Sequence, residues 1–373
     1  MMDGVKVALI HHWLTGMRGG EKVLEALCDL FPNADIFTLV CERDAISEKI
    51  RRHRITTSFV QNLPGSPEKF RRYLPLFPRA AARLDLSGYE LVISSDASLV
   101  KAVRPDRGAQ HICYCHSPPR YLWDLYEIYR SEEAGLLQRL AMPLVAPVLR
   151  RADFRAAQRV SRFIANSEAV AGRIRRHYGR ESVVIHPPVD FDFFSAIERA
   201  PEDFYLFVGQ LVAYKRADLA VQAFTRSGRR LVVVGDGPQR GRLESMAGPS
   251  VHFVGSVSDE VLRSYYGRCR ALLFPNEEDF GIVPVEAQAA GAPVIALGRG
   301  GAMETVIDGS TGVVFEEESV AGLQKGIERF ESSRFTEDAC RANARRFARE
   351  VFDQRMREYL SGVTTDAFSE ALA

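Results

Sequence analysis

The sequence feature that most constrains the fold is an alternation of short apolar runs with helix-like segments. This alternation occurs in two successive sets along the 373 residues. Such runs are typical of strands that are buried on both faces of a parallel sheet. The first set includes Val5–Ile10, Leu91–Ser94, His111–Cys115, Arg162–Asn166 and Ser182–Ile185. The second set is Tyr205–Val208, Arg230–Val234, His252–Val254, Ala271–Phe274 and Pro293–Ala296. The sequence therefore predicts two doubly wound α/β domains, joined by a hinge between Pro187 and about Pro201.

The segment most informative about function is Glu278–Glu286, which places two carboxylates around a glycine turn and a proline. It follows the apolar run that ends at Phe274, so we expect it where a strand gives way to a helix, and open α/β sheets bind ligands at such ends. Pro284 suits a first helical turn, whose free amides can receive a diphosphate. Those amides belong to Gly281, Ile282 and Val283.

The two carboxylates of this segment have a chemical and a structural interpretation. Glu286 offers two acceptor oxygens, which is the chemistry needed to hold both hydroxyls of a ribose, and Glu278 in the preceding loop can meet a sugar. Alternatively, the helix dipole alone stabilises a Glu in the first turn, and Glu278 caps a loop. The surrounding motifs favour the chemical interpretation.

The segment resembles the Glu-x7-Glu motif of the retaining GT-B glycosyltransferases of family 4, and in particular the mannosyltransferases of O-antigen and exopolysaccharide assembly. This resemblance implies a GT-B fold, with two Rossmann-like domains facing a central cleft. It implies an N-terminal acceptor-side domain over 1–188, a donor domain over 189–352 and a last helix, 353–373, that returns to the first domain. In this family Glu278 would be a catalytic residue at the donor sugar.

Two segments of the first domain resemble further motifs of the family. A glycine-bearing loop, His11–Glu21, follows the first strand, and its amides can receive phosphate. By resemblance, Gly19 and Gly20 lie at the donor phosphate and Arg18 binds an anionic acceptor. His116 follows a strand and would contact a donor-sugar hydroxyl, although a lone histidine is more often structural. The residues after it that line the acceptor cleft, or merely pack, are Arg120, Tyr121 and Trp123.

The second domain offers a basic group for the leaving diphosphate. Lys215 lies between a strand and a helix, where its ammonium can neutralise phosphate. Relatives usually carry a basic residue where Gln210 stands, so we expect Lys215 and Arg216 to take more of this role. By resemblance, Gly255 and Val257 belong to a segment that lines the base pocket through backbone groups.

Together these residues predict a retaining α-mannosyltransferase that uses GDP-mannose and a lipid-linked saccharide acceptor. UDP-glucose or another nucleotide sugar is the close alternative for the donor, and a nucleotide-sugar-binding subunit without transferase activity is the alternative for the class. Lys215 and the amides before Glu286 can stabilise the charge of the leaving diphosphate without a divalent cation, so we expect no metal and no cofactor beyond the nucleotide sugar. Glu278 is interpreted as a hydroxyl clamp, with the roles of nucleophile and charge stabiliser left open.

Charge distribution bears on partners and location. Lys and Arg outnumber Asp and Glu by 28 to 20 over residues 1–188, a balance of +8, whereas residues 189–373 carry 21 against 28, a balance of −7. Basic residues at 51–54 and 69–72 lie near aromatic ones, which suits an anionic membrane surface or a lipid-linked phosphate. A solvated basic face is the alternative, and nucleic-acid binding is possible on charge alone but is not predicted. Without a long apolar stretch or a signal-peptide pattern, we expect a cytoplasmic protein that associates peripherally with the inner face of the membrane.

Overall fold

The computed structural model describes residues 5–133 and 135–371. The chain divides into two compact units. The first unit runs to Pro188 and also includes the chain from Phe352 onward, and the second unit is Val189–Val351. Each unit contains one sheet, and every strand pair in either sheet is parallel.

The sheet of the first unit has seven strands in the order β3-β2-β1-β4-β5-β6-β7. All residues of its central strands β1 and β4 are buried, as expected for a parallel sheet covered on both faces. The strands are β1 Val7–His11, β2 Asp35–Thr38, β3 Ile55–Thr57, β4 Leu91–Asp96, β5 Gln110–Cys115, β6 Arg162–Ala165 and β7 Ser182–Val184.

Among the described residues up to Pro188, six α-helices accompany the first sheet. They are α1 Gly19–Leu30, α2 Glu48–Arg51, α3 Phe77–Ala81, α4 Tyr126–Ile128, α5 Leu136–Ala157 and α6 Glu168–Tyr178. Helix α1 begins at a capping box in which the Glu21 side chain accepts a hydrogen bond from the Arg18 amide, 3.1 Å away. Its apolar face packs into the core beneath β1. The 3₁₀ turns of this unit are Arg43–Ala45, Phe59–Asn62, Phe70–Leu76 and Val100–Ala102, and a π-helical turn spans Tyr129–Glu133.

The sheet of the second unit has six strands in the order β10-β9-β8-β11-β12-β13. The strands are β8 Tyr205–Val208, β9 Leu231–Val234, β10 Val251–Gly255, β11 Leu272–Phe274, β12 Val294–Leu297 and β13 Gly312–Phe315. The helices are α7 Phe191–Ser195, α8 Ala217–Ser227, α9 Arg240–Met246, α10 Asp259–Arg268, α11 Ile282–Ala289, α12 Ala302–Thr305, α13 Val320–Glu331 and α14 Glu337–Arg345, with a 3₁₀ turn at Ala213–Lys215.

The last helix, α15 Arg349–Ala371, begins at the end of the second unit and continues in the first. Phe352, Met356 and Leu360 of this helix are buried in the core that also contains β1 and α1. Within the described part of the chain, no helix is both long and apolar enough to cross a membrane.

The strand order confirms the predicted two-domain α/β fold but adds three strands that the apolar runs did not reveal. Strand β2 contains Asp35 and Thr38, β3 contains Thr56 and Thr57, and β13 begins with Gly312, so none of the three is apolar along its whole length. Each sheet reverses its strand order once, between β1 and β4 in the first unit and between β8 and β11 in the second. Such reversals open a crevice at the carboxyl ends of the strands, where α/β proteins bind ligands.

Candidate functional site

The reversal in the second sheet brings together two residues that are far apart in the chain. Lys215 ends the turn after β8, and Glu278 lies in the loop after β11. The Lys215 ammonium forms an ion pair with Glu278 Oε1, which also accepts a hydrogen bond from Asn276 Nδ2 at 2.9 Å. Both side chains of the ion pair keep some exposure, 22% for the lysine and 15% for the glutamate. The pair therefore combines a cation and a carboxylate that solvent, and hence a ligand, can reach.

A glycine turn fixes the Glu278 backbone. Gly301 donates its amide hydrogen to the Glu278 carbonyl at 2.9 Å, and Gly300 forms a parallel bridge with Glu278. Gly300 has a φ of 61°, and a Cβ there would clash with that carbonyl oxygen. Only glycine meets both requirements without strain. The Gly300–Gly301 turn thus holds the loop that carries Glu278.

The next segment forms an anion-binding geometry. Gly281 has a φ of 85° and precedes α11, and Pro284 is the third residue of that helix, as its sequence context predicts. The first amides of a helix have no helical acceptor and carry the positive end of the helix dipole. The amides of Ile282 and Val283 at this helix start can therefore receive an anion.

One turn into α11, Glu286 is half-buried and accepts a hydrogen bond at Oε2 from the Tyr266 hydroxyl, 3.0 Å away. Tyr266 is fully buried in α10. Burial and the adjacent Glu286 carboxylate raise the pKa of Tyr266 well above its ordinary value, so it acts as a donor and not as a base. Sequence reasoning missed Tyr266, because a tyrosine in an amphipathic helix carries no signal that distinguishes it from a core residue.

Two predicted phosphate contacts have different surroundings in the structure. Gln210 is exposed in the loop after β8. Arg216 adopts a φ of 53°, and its guanidinium pairs with Asp218 at 3.0 Å and with Glu318 at 2.5 Å. Glu318 also pairs with Arg299 at 3.0 Å. Arg216 is therefore already engaged in a surface ion-pair network, whereas Lys215 points to Glu278.

The predicted base-pocket segment lies at the end of β10. Gly255 has a φ of 75°, and its carbonyl accepts a hydrogen bond from the Gly235 amide at 2.8 Å. Val257 is half-buried against the core that also contains Phe274 and Phe280. A backbone hydrogen bond thus joins this segment to the residue that follows β9. Base binding by the segment stays a prediction.

The reversal in the first sheet carries a row of polar side chains. His11 at the end of β1 lies opposite Ser95 of β4, and its Nδ1 is 3.1 Å from Ser95 Oγ. The same hydroxyl lies 2.8 Å from Nε2 of His116, which follows β5. On its other side, His11 Nε2 faces Glu21 Oε1 at 3.6 Å. The groups therefore follow one another in the order carboxylate, imidazole, hydroxyl and imidazole. The last imidazole belongs to His116, the predicted sugar-binding histidine.

Burial and mutual repulsion keep two of these imidazoles neutral. Burial lowers the pKa of His12 to about 3, and the neighbouring His11 adds to the shift. Burial and His11 likewise lower the pKa of His116 to about 4. Burial opposes the ionisation of Glu21, but the His11 contact outweighs it and lowers the pKa of Glu21 to about 2. At neutral pH the cluster therefore contains an ionised Glu21 beside neutral His12 and His116.

The Ser95 hydroxyl lies within hydrogen-bond distance of both His11 Nδ1 and His116 Nε2, and its single proton can serve only one of these nitrogens. When the hydroxyl donates to His11, its oxygen accepts from Nε2–H of His116, and Nδ1 of His116 keeps its lone pair. The structure shows no hydrogen-bond partner for that Nδ1 among the described residues. A neutral His116 is thus prepared to accept a hydrogen bond from a hydroxyl group.

The glycine loop lies directly against this cluster. A Cβ at Gly20 would lie 3.4 Å from His11 Cε1, 3.6 Å from His12 Cε1 and 3.7 Å from His116 Nε2. Gly19 begins α1, and Arg18 is its N-cap residue. The structure therefore brings the predicted Arg18, Gly19 and Gly20 to the same end of the sheet as His116.

One group of side chains in this cluster has the composition of a metal site. Within the described residues, His11, His12 and Glu21 each offer a ligand atom, and these atoms lie within 4.8 Å of one another. Glu21 is already bonded to the Arg18 amide, and His12 Nδ1 lies 3.4 Å from the Ser95 carbonyl. We therefore describe the group as a hydrogen-bonded cluster, and metal independence stays a prediction.

The predicted acceptor residues after His116 make contacts within the first unit. Tyr121 shares a hydrogen bond with Ser98 at 2.8 Å, and the Trp123 indole donates to Asp153 at 2.9 Å. Arg120 is half-buried. These bonds supply a structural role for Tyr121 and Trp123, and acceptor binding by the three residues stays a prediction.

Asp153 belongs to a buried ionic network that sequence reasoning missed. Lys101 is 1% exposed, and its ammonium lies 3.0 Å from Asp96 and 2.6 Å from Asp153. The Asp96 carbonyl in turn accepts a hydrogen bond from the His116 amide at 2.9 Å. A buried charge is stable only when it is paired and hydrogen-bonded, so this network holds β4, β5 and α5 in a fixed relation beside His116.

Comparisons with known proteins agree with this description. Residues 189–347 match the family described as Glycosyl transferases group 1, and residues 17–193 match the family described as Glycosyltransferase Family 4. A D-inositol 3-phosphate glycosyltransferase of Streptomyces avermitilis is 31% identical over 204 residues, which are 45% of this chain and 44% of that protein. A homologue of the same name from Geodermatophilus obscurus is 30% identical over 245 residues, 57% of this chain and 54% of its own. The chain thus spans about half the length of the curated relatives it matches.

Solved structures share the fold over nearly the whole chain. The sucrose-phosphate synthase of Thermosynechococcus elongatus has a TM-score of 0.74 at 20% identity, covering 97% of this chain and 100% of its own. Anabaena Alr3699/HepE, solved with UDP and glucose, has a TM-score of 0.69 at 18% identity. The match covers 95% of this chain and 99% of that protein. At these identities the likeness establishes the fold.

Proposed function

We propose that this chain, which has the GT-B fold and carries a Glycosyltransferase Family 4 domain and a Glycosyl transferases group 1 domain, transfers a sugar from a nucleotide sugar to an acceptor. One observation carries the proposal: at the strand-order reversal of the second unit, Lys215 pairs with Glu278 in the loop that leads to the free amides of α11. These groups match a diphosphate joined to a sugar.

The donor fits this arrangement in parts. The diphosphate binds the amides of Gly281, Ile282 and Val283 together with Lys215, because each supplies a donor to phosphate oxygens. Glu286 holds the ribose hydroxyls, and Tyr266 orients its carboxylate from the opposite side. The base lies along the backbone of the segment that contains Gly255 and Val257. Gln210 and Arg216 complete the proposed phosphate environment.

The proposed reaction retains the anomeric configuration. The bond between the anomeric carbon and the diphosphate oxygen breaks, and its electron pair leaves with the diphosphate, where Lys215 and the α11 amides stabilise the charge. Glu278 holds sugar hydroxyls. The acceptor hydroxyl forms the new bond on the same face and gives its proton to the departing phosphate oxygen. No step in this scheme requires a metal ion or a protein base.

In the first unit, we assign His116 to a hydroxyl of the donor sugar through its Nδ1 lone pair, and the Gly19–Gly20 turn to phosphate. The acceptor residues are Arg18, Arg120, Tyr121 and Trp123. The favoured donor is GDP-mannose, and the favoured acceptor is a lipid-linked saccharide at the inner face of the cytoplasmic membrane, used in the synthesis of a cell-surface polysaccharide or lipopolysaccharide.

Two alternatives have specific support. UDP-glucose is the alternative donor, because a structural neighbour was solved with UDP and glucose. A nucleotide-sugar-binding subunit is the alternative class, because exposed Gln210 provides no cation where relatives have one. Donor consumption distinguishes a transferase from a binding subunit.

The test combines product analysis with a matched pair of variants. Purified protein is incubated with GDP-mannose or UDP-glucose and a lipid-linked saccharide extract, and release of nucleoside diphosphate and the anomeric NMR signal of the product are measured. We expect an α-linked product, lost in Glu278→Ala and retained in the control Glu277→Ala. Full activity of Glu278→Ala would contradict the catalytic role of that carboxylate, and a β-linked product would contradict retention.

A further inference from the structure

Helix α5 exposes a continuous apolar stripe on the first unit. Leu140, Leu144 and Val148 follow one another at helical spacing and are 66%, 78% and 67% exposed. Pro143 and Pro147 are exposed on the same side of the helix. The opposite side is buried, with Ala146, Leu149 and Ala156 in the core that also contains α3. We call the exposed residues Leu140, Pro143, Leu144, Pro147 and Val148 the α5 stripe.

Such an arrangement is unusual for a surface helix. An ordinary surface helix turns its apolar side inward and its charged side to water, whereas α5 is apolar on both sides. Contiguous exposed apolar residues of this kind mark a surface that contacts another apolar phase. The three most exposed side chains alone account for a ridge that extends for about 12 Å along the helix, at about 1.5 Å per residue.

The charges around the stripe indicate what covers it. Residues 136–152 contain three arginines and no acidic residue. Arg151 and Arg155 are exposed beyond the end of the stripe, and the structure gives neither side chain an acidic partner among the described residues. Asp153, the nearest acid, is buried against Lys101 on the other side of the helix. The exposed charged residues that α5 itself contributes are therefore all cationic, which complements an anionic surface.

A second basic segment belongs to the same region. Helix α3 packs against α5, and the turn Phe70–Leu76 leads directly into α3. This turn carries Arg71 and Arg72, and Leu76 at its end is 37% exposed. The basic and aromatic segment that the sequence associated with membranes thus adjoins the helix that carries the stripe.

We infer that the α5 stripe docks on the surface of an anionic lipid bilayer. Its leucines and valine enter the boundary between headgroups and acyl chains, while Arg151 and Arg155 reach lipid phosphates. The helix lies in the interface and does not span the bilayer. Pro143 and Pro147 each remove a helical N–H donor on the exposed side, and the carbonyls left without that donor need the water of the headgroup region.

This inference rests on the proposed function in one respect: a lipid-linked acceptor lies in the bilayer, so the enzyme must bind the bilayer to reach it. The surface itself can be tested separately from catalysis. Leu140 and Leu144 are mostly exposed, so changing them to glutamine leaves the core of the first unit intact. Val261 of α10, 44% exposed on the second unit, provides a matched control.

The experiment measures sedimentation of the full chain with vesicles of phosphatidylcholine alone, or with about one third phosphatidylglycerol. We expect binding to the anionic vesicles, weakened about a hundredfold in the double variant Leu140→Gln, Leu144→Gln, at about tenfold for each leucine. Val261→Gln should bind as the wild type does. The double change Arg151→Gln, Arg155→Gln should remove the preference for phosphatidylglycerol.

Two results would overturn the inference. Equal vesicle binding by the wild type and the leucine variant would show that the stripe is not the docking surface. A wild-type dimer by light scattering that becomes a monomer in the leucine variant, without vesicle binding by either, would assign the stripe to a second copy of the chain. Nucleotide-sugar binding is measured on the same samples. If the protein binds the nucleotide sugar but not the vesicles, only the docking surface is contradicted. If it binds the vesicles but no nucleotide sugar, only the proposed function is contradicted.

Discussion

The Tyr266 hydroxyl donates a hydrogen bond to Glu286 Oε2 across 3.0 Å, from a fully buried ring to a half-buried carboxylate. A carboxylate held in this way presents its remaining lone pairs in a fixed direction, which lowers the entropic cost of binding a diol. Tyr266 is therefore part of the proposed ribose site, although its ring lies in the core.

Tyr266→Phe tests that role. The change keeps the buried ring and removes one hydrogen bond to a charged group, which contributes about 1.5–3 kcal/mol. We expect the dissociation constant of the nucleotide sugar to rise about tenfold, and the free energy of unfolding to fall by no more than that contribution. The adjacent Tyr265→Phe serves as the control, and an equal effect of both variants on affinity would contradict the assignment.

Lys215→Met tests the proposed stabilisation of the leaving group. The variant keeps the length of the side chain but removes the cation, so it loses charge stabilisation in the transition state and leaves Glu278 without its ion-pair partner. We expect kcat to fall about a hundredfold, the effect of removing one such electrostatic contact. Lys325→Met, on the exposed surface of α13, should keep wild-type turnover. A kcat near that of the wild type in Lys215→Met would refute the role.

Ser95→Ala tests the row of hydrogen bonds that ends at His116. Without the hydroxyl, Nε2 of His116 loses the partner that keeps its proton there, so we expect ¹⁵N NMR to show a mixture of neutral tautomers in place of Nε2–H. Turnover should fall about tenfold, which corresponds to about 1.4 kcal/mol.

Ser94→Ala provides a closely matched control for this variant. Ser94 is the adjacent residue of β4 and is equally buried, and its hydroxyl pairs with His111 Nε2 at 2.9 Å. Its replacement should cost comparable stability without altering the His116 tautomer. An unchanged His116 spectrum in Ser95→Ala would disprove the proposed hydrogen-bond direction.

The buried histidines predict acid sensitivity. Burial lowers the pKa of His12 to about 3 and of His111 to about 4, whereas the unfolded chain binds these protons below about pH 6.5. The unfolded state therefore holds more protons as pH falls from about 6.5 to 4, so the free energy of unfolding decreases over that range. Each of the two histidines lowers the free energy of unfolding by up to about 1.4 kcal/mol for each pH unit of acidification.

Urea unfolding at a series of pH values measures this effect. His111→Gln should reduce the pH dependence between about pH 6 and 5 by about 1.4 kcal/mol per unit. His252→Gln, which changes an exposed histidine, serves as the control. The same slope in the wild type and in His111→Gln would show that His111 is not held neutral in the native state.

The sequence located the main chemical groups because each lies in a segment that follows an apolar run. Glu278, Lys215 and His116 all lie just beyond strands, and the carboxyl ends of parallel strands meet at one edge of a sheet. The resemblance supplied their roles. The pairing of Lys215 with Glu278 was not predicted, because it requires β8 and β11 to be neighbours in the sheet. Strand order cannot be determined from one sequence.

The supporting residues escaped prediction for the same physical reason. Ser95 orients His116 only because β4 lies between β1 and β5, and Lys101 meets Asp153 only through the packing of α5. The exposed stripe on α5 was also missed, because the side of a helix that faces solvent is known only once its neighbours are placed.

The central claim is that the second unit binds a nucleotide sugar with Glu286 at the ribose, and calorimetric titration tests it most directly. GDP-mannose, UDP-glucose and other sugar nucleotides are titrated into the wild type and into Glu286→Gln. We predict selective binding of GDP-mannose that weakens at least tenfold in the variant, the effect of losing a charged hydrogen-bond partner. No sugar nucleotide bound by the folded wild type, or equal affinity in both proteins, would contradict the account.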